Sequence, residues 1–240
     1  MKKSEPFRFK RFSVNHSRSS MKVGVDGVLL GCWADTSFAK RILDVGTGCG
    51  VIALICAQRV PEALVTGIDI HKDSVEEASA NFAGSPFRER LLAMQMDFMA
   101  FPEEEKFDCI VSNPPYFDSG VSEKSSARIN ARHQVSLGIA DMVGKSSRLL
   151  TENGRLSLIL PSDQHEALLH AANLNRMAIC RLATVKGTET SPVKRIMAEL
   201  RFSSAIGDEC VEADEIAMMA KGTEPTPRYR ELTADFYLNY

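Results

Sequence analysis

The sequence lacks three features that would assign it to common classes of protein. No apolar run among its 240 residues approaches the ~18 residues of a membrane span. Its six cysteines form no Cys-x-x-Cys pair, and its five histidines have neither zinc-site nor catalytic-triad spacing. The basic start, Met1–Pro6, has no apolar stretch behind it and so does not resemble a secretory signal. We expect a cytoplasmic, monomeric protein that contains no metal and contacts no membrane.

The composition is that of an ordinary globular protein, with 44% hydrophobic and 25% charged residues, but the charges are unevenly spread. The net charge is only −2, yet residues 1–22 hold seven lysines and arginines against one acid, and residues 176–201 hold six against two. Such clusters arise by chance or form a phosphate-binding face. The candidate phosphate contacts are Lys10, Arg11, Arg18, Lys22, Arg128, Arg132, Lys194 and Arg195.

Apolar stretches alternate with helical patterns, which predicts an α/β fold with a mostly parallel sheet and helices on both faces. Only Gly187–Lys194 separates the last two of seven strands, so the last strand is antiparallel. The predicted strands are Arg41–Val45, Leu64–Ile70, Leu91–Met96, Phe107–Ser112, Arg155–Leu160, Cys180–Lys186 and Arg195–Phe202. The predicted helices are Val51–Val60, Lys72–Ala83, Asp97–Lys106, Ser136–Leu150 and Ser162–Leu174, with a turn at Thr151–Gly154.

The chain shows no internal repeat and no linker, which indicates one domain overall. We expect a basic N-terminal extension over residues 1–40, a ligand-binding core over residues 41–205 and a C-terminal tail over residues 206–240.

A glycine-rich segment closes the first predicted strand and opens a helix. Glycines 46, 48 and 50 permit a tight turn and let a ligand approach the backbone beside a helix N-terminus. Their spacing is G-x-G-x-G, whereas the dinucleotide fingerprint is G-x-G-x-x-G. Asp44, two residues before the first glycine, favours a ligand with a cationic end over a pyrophosphate.

Polar residues also follow the next three strands. Asp69, Asp97 and Asn113 stand at the carboxyl ends of successive predicted strands, the edge where open α/β sheets bind ligands. Asp69 suits ribose hydroxyls, and Asp97 suits an exocyclic amine while Phe98 packs on a purine. Taken singly, each acid is more often a helix N-cap or a solvated loop residue. Their coincidence at one edge indicates a binding site.

The segment Asn113–Tyr116 reads Asn-Pro-Pro-Tyr. Pro114 biases Asn113 toward an extended conformation, and the two prolines offer carbonyl acceptors but no N–H donors. Tyr116 provides a flat face on which a flipped base can stack. These groups suit a planar amino nitrogen, although the tetrapeptide alone would also fit a rigid turn with a surface tyrosine.

In this order, Asp44–Gly50, Asp69, Asp97 and Asn113–Tyr116 resemble the motifs of class I S-adenosylmethionine-dependent methyltransferases, whose fold is Rossmann-like. The Asn-Pro-Pro-Tyr element is similar to that of amino-methyltransferases acting on adenine N6, guanine N2 or the glutamine N5 of release factors.

The two ends of the chain narrow the resemblance. Phe9–Phe12, Met21–Gly31 and Tyr229–Leu238 are similar to the corresponding segments of bacterial tRNA-Val adenine-37 N6-methyltransferases. The resemblance covers nearly the whole chain. It departs at Val25, where the family usually has a threonine, which puts in doubt a hydroxyl contact to the amino-acid end of the cofactor.

The resemblance implies methyl transfer from S-adenosylmethionine to N6 of adenine 37 in tRNA-Val, with S-adenosylhomocysteine as the product. It implies that Asn113, Pro114 and Tyr116 are catalytic, that the N-terminal extension packs on the cofactor site, and that the basic residues bind tRNA. The implied cofactor contacts are Lys22, Asp26, Asp44, Gly46, Gly48, Gly50, Asp69, Ile70, Asp97, Phe98 and Asn113.

Two related activities stay open on the sequence. A guanine-N2 rRNA methyltransferase shares the tetrapeptide, and so does a protein-glutamine N5-methyltransferase. The latter usually carries a larger helical N-terminal domain, whereas only residues 1–40 precede the first core strand here.

Overall fold

The computed structural model describes residues 5–19, 22–115, 137–207, 210–220 and 224–238. Tyr116, Arg128 and Arg132 lie outside the described residues. The strands are β1 (Phe7–Arg8), β2 (Ser13–Val14), β3 (Arg41–Val45), β4 (Leu64–Asp69), β5 (Leu91–Gln95), β6 (Phe107–Ser112), β7 (Leu150–Pro161), β8 (Met177–Thr188), β9 (Val193–Phe202) and β10 (Glu212–Met219). The helices are α1 (Val25–Trp33), α2 (Val51–Arg59), α3 (Lys72–Ala83), α4 (Ile139–Leu149), α5 (His165–Leu174), α6 (Ser203–Ile206) and α7 (Pro227–Thr233).

The central sheet has eight strands within the described residues, in the order β10-β8-β9-β7-β6-β3-β4-β5. Strands β7, β6, β3, β4 and β5 are mutually parallel, and β9 lies antiparallel between β7 and β8. The predicted α/β class and the antiparallel seventh strand are therefore confirmed.

The predicted count of seven strands is wrong by one, because β10 adds an edge strand parallel to β8. Its sequence contains three acids, and Ile216 is the one fully buried residue of the strand. An edge strand with one buried side chain lacks the apolar alternation by which strands are found in a sequence. The residues assigned to a C-terminal tail thus contribute to the sheet.

Two local predictions also differ from the structure. Asp97–Lys106 forms only a single 3₁₀ turn at Phe98–Ala100, since this segment has no helical apolar stripe. Thr151–Gly154 lies inside β7 and forms a bulge there. Leu150 is paired with Phe107, and the next pair joins Arg155 to Cys109, so five positions along β7 match only two along β6. Polar turn-forming residues here produce an irregularity within a strand instead of ending it.

Two apolar cores cover the two faces of the sheet. One core joins α1, α2 and α3 to β1, β2 and the C-terminal helix α7, and the other joins α4 and α5 to the opposite face. Five of the six cysteines are buried and reduced, and Cys210 is exposed. Among the helices of the described ranges, none is both long and apolar enough to cross a membrane.

The helix α1 lies closely against α2. A Cβ atom added at Gly31 would be 3.0 Å from Cγ2 of Ile55, and one at Gly27 would be 3.5 Å from Cγ1 of Val51. Glycines one turn apart therefore give α1 a flat face that fits against α2, which follows the glycine-rich loop. This contact fixes residues N-terminal to the core beside the edge where β3 ends.

We expect Gly31→Val to lower the free energy of unfolding by about 1–3 kcal/mol, because the new side chain must displace Ile55 in a filled core. Thermal unfolding followed by circular dichroism measures the change. The matched control is Gly187→Val, since a Cβ there meets only Oγ of Ser191 at 3.8 Å. Equal melting temperatures for both variants would contradict close packing of α1 on α2.

Candidate active site

The sequence-predicted site residues meet at one edge of the sheet. Strands β6, β3, β4 and β5 are neighbours, and their carboxyl ends point the same way. The chain runs from β3 outward through β4 to β5 and then returns to the other side of β3 as β6. A crevice forms at such a change of direction, and ligands bind there in open α/β sheets.

The glycine-rich loop between β3 and α2 has an unusual backbone conformation. Gly46, Gly48 and Gly50 have φ values of 71°, 55° and 83°, in the left-handed region that only glycine enters freely. A Cβ at Gly50 would lie 2.4 Å from Cε1 of Phe82, so position 50 also excludes other residues on steric grounds. The exposed Gly46 has open space where its Cβ would be.

Asp44 holds this loop from below. It is fully buried, and its Oδ2 accepts hydrogen bonds from Oγ1 of Thr47 at 2.7 Å and from the N–H of Ala53 at 3.1 Å. Its other oxygen, Oδ1, has no partner among the described atoms. Burial raises the pKa of Asp44 to about 7, with a smaller contribution from the charge of Asp69, although the two hydrogen bonds oppose the shift.

Asp69 holds the same loop from the side. Its Oδ2 accepts from the N–H of Gly48 at 3.0 Å, and its Oδ1 accepts from the N–H of His71 at 2.9 Å. The carboxylate is thus fixed at the end of β4, and each oxygen retains a lone pair for a further donor. Ile70 follows it and is 40% exposed, so an apolar side chain projects beside this acid.

Asp97 and Phe98 follow β5. Asp97 is exposed and caps the 3₁₀ turn, accepting from the N–H of Met99 at 2.9 Å. Phe98 is buried in the core beneath the edge, whereas Met99 is 41% exposed. The structure therefore brings Asp97 to the edge with Asp69 and places Phe98 under it.

Asn113 and Pro114 follow β6, directly beside β3. The preceding Ser112 donates its Oγ–H to the carbonyl of Val45 at 2.8 Å, which joins the ends of these two strands. Asn113 is half-buried and Pro114 is buried. Because Ser112 is paired with Val45, Asn113 follows β6 beside the start of the glycine-rich loop.

The ion pair between Asp26 and Arg195 lies at this same edge. The Nε of Arg195 is 3.1 Å from Oδ2 of Asp26 in the first turn of α1. Arg195 is paired in the sheet with Pro161, the last residue of β7. The exposed residue Lys194 precedes Arg195, so these residues extend the edge beyond β6.

The remaining predicted basic residues lie on the N-terminal segment and contact the protein. Lys10 donates its Nζ–H to the carbonyl of Ala234 at 2.5 Å, and the Arg11 guanidinium lies 5.2 Å from the centre of the Phe87 ring. Arg18 pairs with Glu76 on α3. All three side chains are also exposed, as is Lys22.

Two buried polar residues on α3 were not among the predicted site residues. Glu77 and Asn81 are 4% and 2% exposed, and they hydrogen-bond to residues 15–19 of the N-terminal segment. Their signal was present in the sequence: both share the helix face of the buried residues Ala78 and Phe82. Polar residues on the apolar face of a helix require partners, so they mark a place where another segment docks.

The arrangement suits a ligand with a cationic end and a sugar, next to a planar nitrogen held by an amide. Two fixed carboxylates, the backbone of the glycine-rich loop and the exposed side chain of Ile70 lie at one edge of the sheet. Within the described ranges, no group of three or more His, Cys, Asp or Glu side chains is arranged to hold a metal ion.

Comparison with known proteins agrees with this geometry. Residues 24–180 match the family model of the methyltransferase small domain. A tRNA1(Val) (adenine(37)-N6)-methyltransferase of Phocaeicola vulgatus is 40% identical over 97% of both chains, and one of Christiangramia forsetii is 36% identical over 98% of both.

Solved structures share the fold at lower identity. A predicted O-methyltransferase of Agrobacterium tumefaciens superposes with a TM-score of 0.69 at 19% identity, covering 88% of this chain and 96% of its own. The chain has the Rossmann-like methyltransferase fold. By its family model and its full-length relatives, it belongs to the methyltransferase small domain family and to the family of the tRNA1(Val) (adenine(37)-N6)-methyltransferases.

Proposed function

We propose that this protein transfers a methyl group from S-adenosylmethionine to the exocyclic N6 of adenine 37 in tRNA-Val, in the cytoplasm. Relatives at 36–40% identity carry this activity in their names. The observation that carries the proposal in the structure is the position of Asn113, which follows β6 directly beside the glycine-rich loop at the end of β3. A methyl donor and an amine acceptor bound at these two elements would be neighbours.

The residues at the edge fit the methyl donor. The unpartnered Oδ1 of Asp44 provides negative charge beneath the loop, where the cationic methionine end would bind. Asp69 retains acceptor capacity for ribose hydroxyls, and Ile70 offers an apolar surface to the adenine ring, with Asp97 for its exocyclic amine. Lys22 and Asp26, at the start of α1, are the further proposed donor contacts.

The donor supplies an electrophilic methyl group on a sulfonium ion. The N6 lone pair of adenine is delocalised into the ring, so the protein must orient it. In the proposal, the Oδ1 of Asn113 and the carbonyl of Pro114 each accept one N6–H, which directs the nitrogen lone pair out of the ring plane. Tyr116 stacks on the flipped base. Methyl transfer would release S-adenosylhomocysteine and leave N6 positively charged, and the now acidic extra proton on N6 would pass to water. Positioning and electrostatics then suffice, without a strong base.

The basic residues give the tRNA a phosphate-binding face. Lys194 and Arg195 lie at the edge that carries Asn113. The N-terminal extension places Arg18 against α3, Arg11 over the Phe87 ring and Lys10 beside the end of α7. We propose that residues 1–40 act as an extension that packs on the donor site of the core, with Arg128 and Arg132 as further RNA contacts.

The proposed function first predicts that donor binding near Asp44 depends on pH. A bound cation favours the carboxylate, so below a pKa of about 7 binding must remove a proton from Asp44. We expect the affinity for S-adenosylmethionine to fall as the pH drops from 8 to 6, approaching about tenfold per pH unit below the pKa. Isothermal titration calorimetry measures it.

Asp44→Asn is the matched control for this profile, because the amide keeps an acceptor for Thr47 but does not titrate. We expect its affinity to be weaker and nearly independent of pH over the same range. An Asp44→Asn profile as steep as that of the wild type would assign the dependence to another group.

The second prediction concerns Asn113. We expect Asn113→Ala to lower the rate of methyl transfer by about 10²–10³-fold, as for the loss of one oriented hydrogen-bonding group. The affinity for the donor should stay nearly unchanged, since its other contacts are intact. The control Asn153→Ala removes an exposed carboxamide in β7 and should leave the rate unaltered.

The assay is transfer of labelled methyl from S-adenosylmethionine to tRNA lacking the modification, followed by nucleoside digestion. Label in N6-methyladenosine supports the proposal. Label in N2-methylguanosine or in protein glutamine would assign the enzyme to one of the other amino-methyltransferase activities.

The third prediction concerns salt. If exposed cations contact phosphates, the logarithm of tRNA affinity falls linearly with the logarithm of salt concentration, and each lost contact reduces the slope by about 0.7–0.9. We expect Lys194→Gln to weaken tRNA binding and to reduce the slope by one such step. Lys40 is exposed directly before β3, at the amino ends of the parallel strands, so Lys40→Gln should change neither the tRNA affinity nor the slope. Equal slopes for all three proteins would contradict the assigned face.

A further inference from the structure

The inward face of α3 is polar where a helix packed on a sheet is ordinarily apolar. The polar residues Ser74, Glu77 and Asn81 are among the buried residues of this helix, and each is less than 5% exposed. Burial of polar groups costs free energy unless hydrogen bonds compensate. The Oγ of Ser74 has no partner among the described atoms, so the groups bound by Glu77 and Asn81 indicate why the face is polar.

Asn81 joins the N-terminal segment to the glycine-rich loop. Its Oδ1 accepts from the backbone N–H of Asn15 at 2.8 Å and from Nδ2 of Asn15 at 3.2 Å. Its Nδ2 donates to the carbonyl of Asn15 at 2.9 Å and to the carbonyl of Cys49 at 2.8 Å. The carboxamide is thus fully used, and Cys49 lies between Gly48 and Gly50 of the proposed donor loop.

Glu77, one turn earlier, fixes the next residues of the same segment. Its carboxylate accepts from the backbone N–H groups of Ser17 at 2.8 Å, Arg18 at 3.0 Å and Ser19 at 2.8 Å. Burial opposes ionisation, but the backbone hydrogen bonds from Ser19 and Arg18 outweigh it and lower the pKa of Glu77. Three consecutive N–H groups around one carboxylate hold this piece of backbone in one conformation.

The segment held in this way carries basic side chains to the surface. The Arg18 guanidinium is exposed and lies 2.5 Å from Glu76 and 3.6 Å from Asp73. His16 accepts from the N–H of Val23 at 3.1 Å, two residues before α1 begins. The path from the loop to the proposed RNA contacts therefore consists of a few direct hydrogen bonds.

We propose that Asn81 is a positioning residue that couples methyl-donor binding to tRNA binding. A donor bound against Gly46–Gly50 would immobilise the loop that contains the Cys49 carbonyl. Asn81 transmits this restraint to Asn15, and Glu77 keeps the neighbouring residues 17–19 ordered for RNA. This inference rests on the proposed function, because it requires that both ligands bind this chain.

Coupling between two ligands is reciprocal and is measured as a ratio of affinities. The affinity for S-adenosylhomocysteine, which occupies the donor site but has no methyl group to transfer, is determined by calorimetry with the full-length protein, alone and with saturating unmodified tRNA. For the wild type we expect tRNA to tighten donor binding by about fivefold or more, within the usual range for coupled sites. For Asn81→Ala we expect the ratio to fall toward one.

Asn175→Ala is the matched control. Asn175 ends α5 in the other core, and its Nδ2 donates to the carbonyl of Ala171 at 2.8 Å, so the variant also loses a hydrogen bond at a helix. It should keep the wild-type ratio even if its melting temperature falls. A merely structural role of Asn81 would lower the stability of Asn81→Ala and leave the ratio unchanged.

A second variant keeps the test decisive if Asn81→Ala does not fold. Asn15→Gly removes the side-chain contact to Asn81 and loosens the exposed segment without altering the core, and we expect a reduced ratio. A wild-type ratio of one with both ligands bound would overturn the coupling and leave the proposed function standing. Absence of tRNA binding or methyl transfer by the wild type would instead remove the proposed function.

Discussion

The structure of the site depends on the hydrogen bonds that two carboxylates, those of Asp44 and Asp69, accept from the glycine-rich loop. Asp44 binds Thr47 from beneath, and Asp69 binds the N–H of Gly48 from the neighbouring strand. Two neighbouring carboxylates repel each other when both are ionised. The N–H and O–H donors of the loop offset this repulsion, so the two acids can lie on either side of the loop only because these donors are present. A cationic ligand at the same place would relieve the remaining repulsion. The shape of the loop and the proposed binding of a cation thus have one cause.

The glycine-rich loop also constrains how the helices around it pack. The left-handed Gly50 begins α2 and lies against Phe82 of α3 so closely that no side chain fits. The helix α2 in turn accepts α1 through Gly27 and Gly31. The N-terminal segment, which precedes the core in the chain, is consequently part of the same packed unit as the loop. Its contacts with Glu77 and Asn81 belong to this unit as well.

Sequence patterns predicted the elements that are buried on both sides and failed where burial is partial. The bounds of β3 and β6 agree with prediction, because both are nearly continuous apolar runs. The bounds of α3 also agree, although its inward face is partly polar. The edge strand β10 was missed because it buries a single side chain fully, and Asp97–Lys106 was assigned as a helix although it has no apolar stripe. The roles of the site residues remain predictions, but their meeting at one edge follows from the parallel order of four strands.

The sequence by itself determined the chemistry that is available: the glycines, the three acids and the Asn-Pro-Pro segment are local features whose spacing along strands is visible in the chain. Only the tertiary structure decided which of these groups are buried or already have an ion-pair or hydrogen-bond partner. It pairs Asp26 with Arg195 across 169 positions of the chain, buries Phe98 beneath the edge and joins Asn15 to Cys49 through Asn81. Such partners are distant in sequence and meet only when the helices pack on the sheet. Hydrogen-bond partners of buried polar groups are therefore a property of the fold, whereas the residue types near a strand end are a property of the chain.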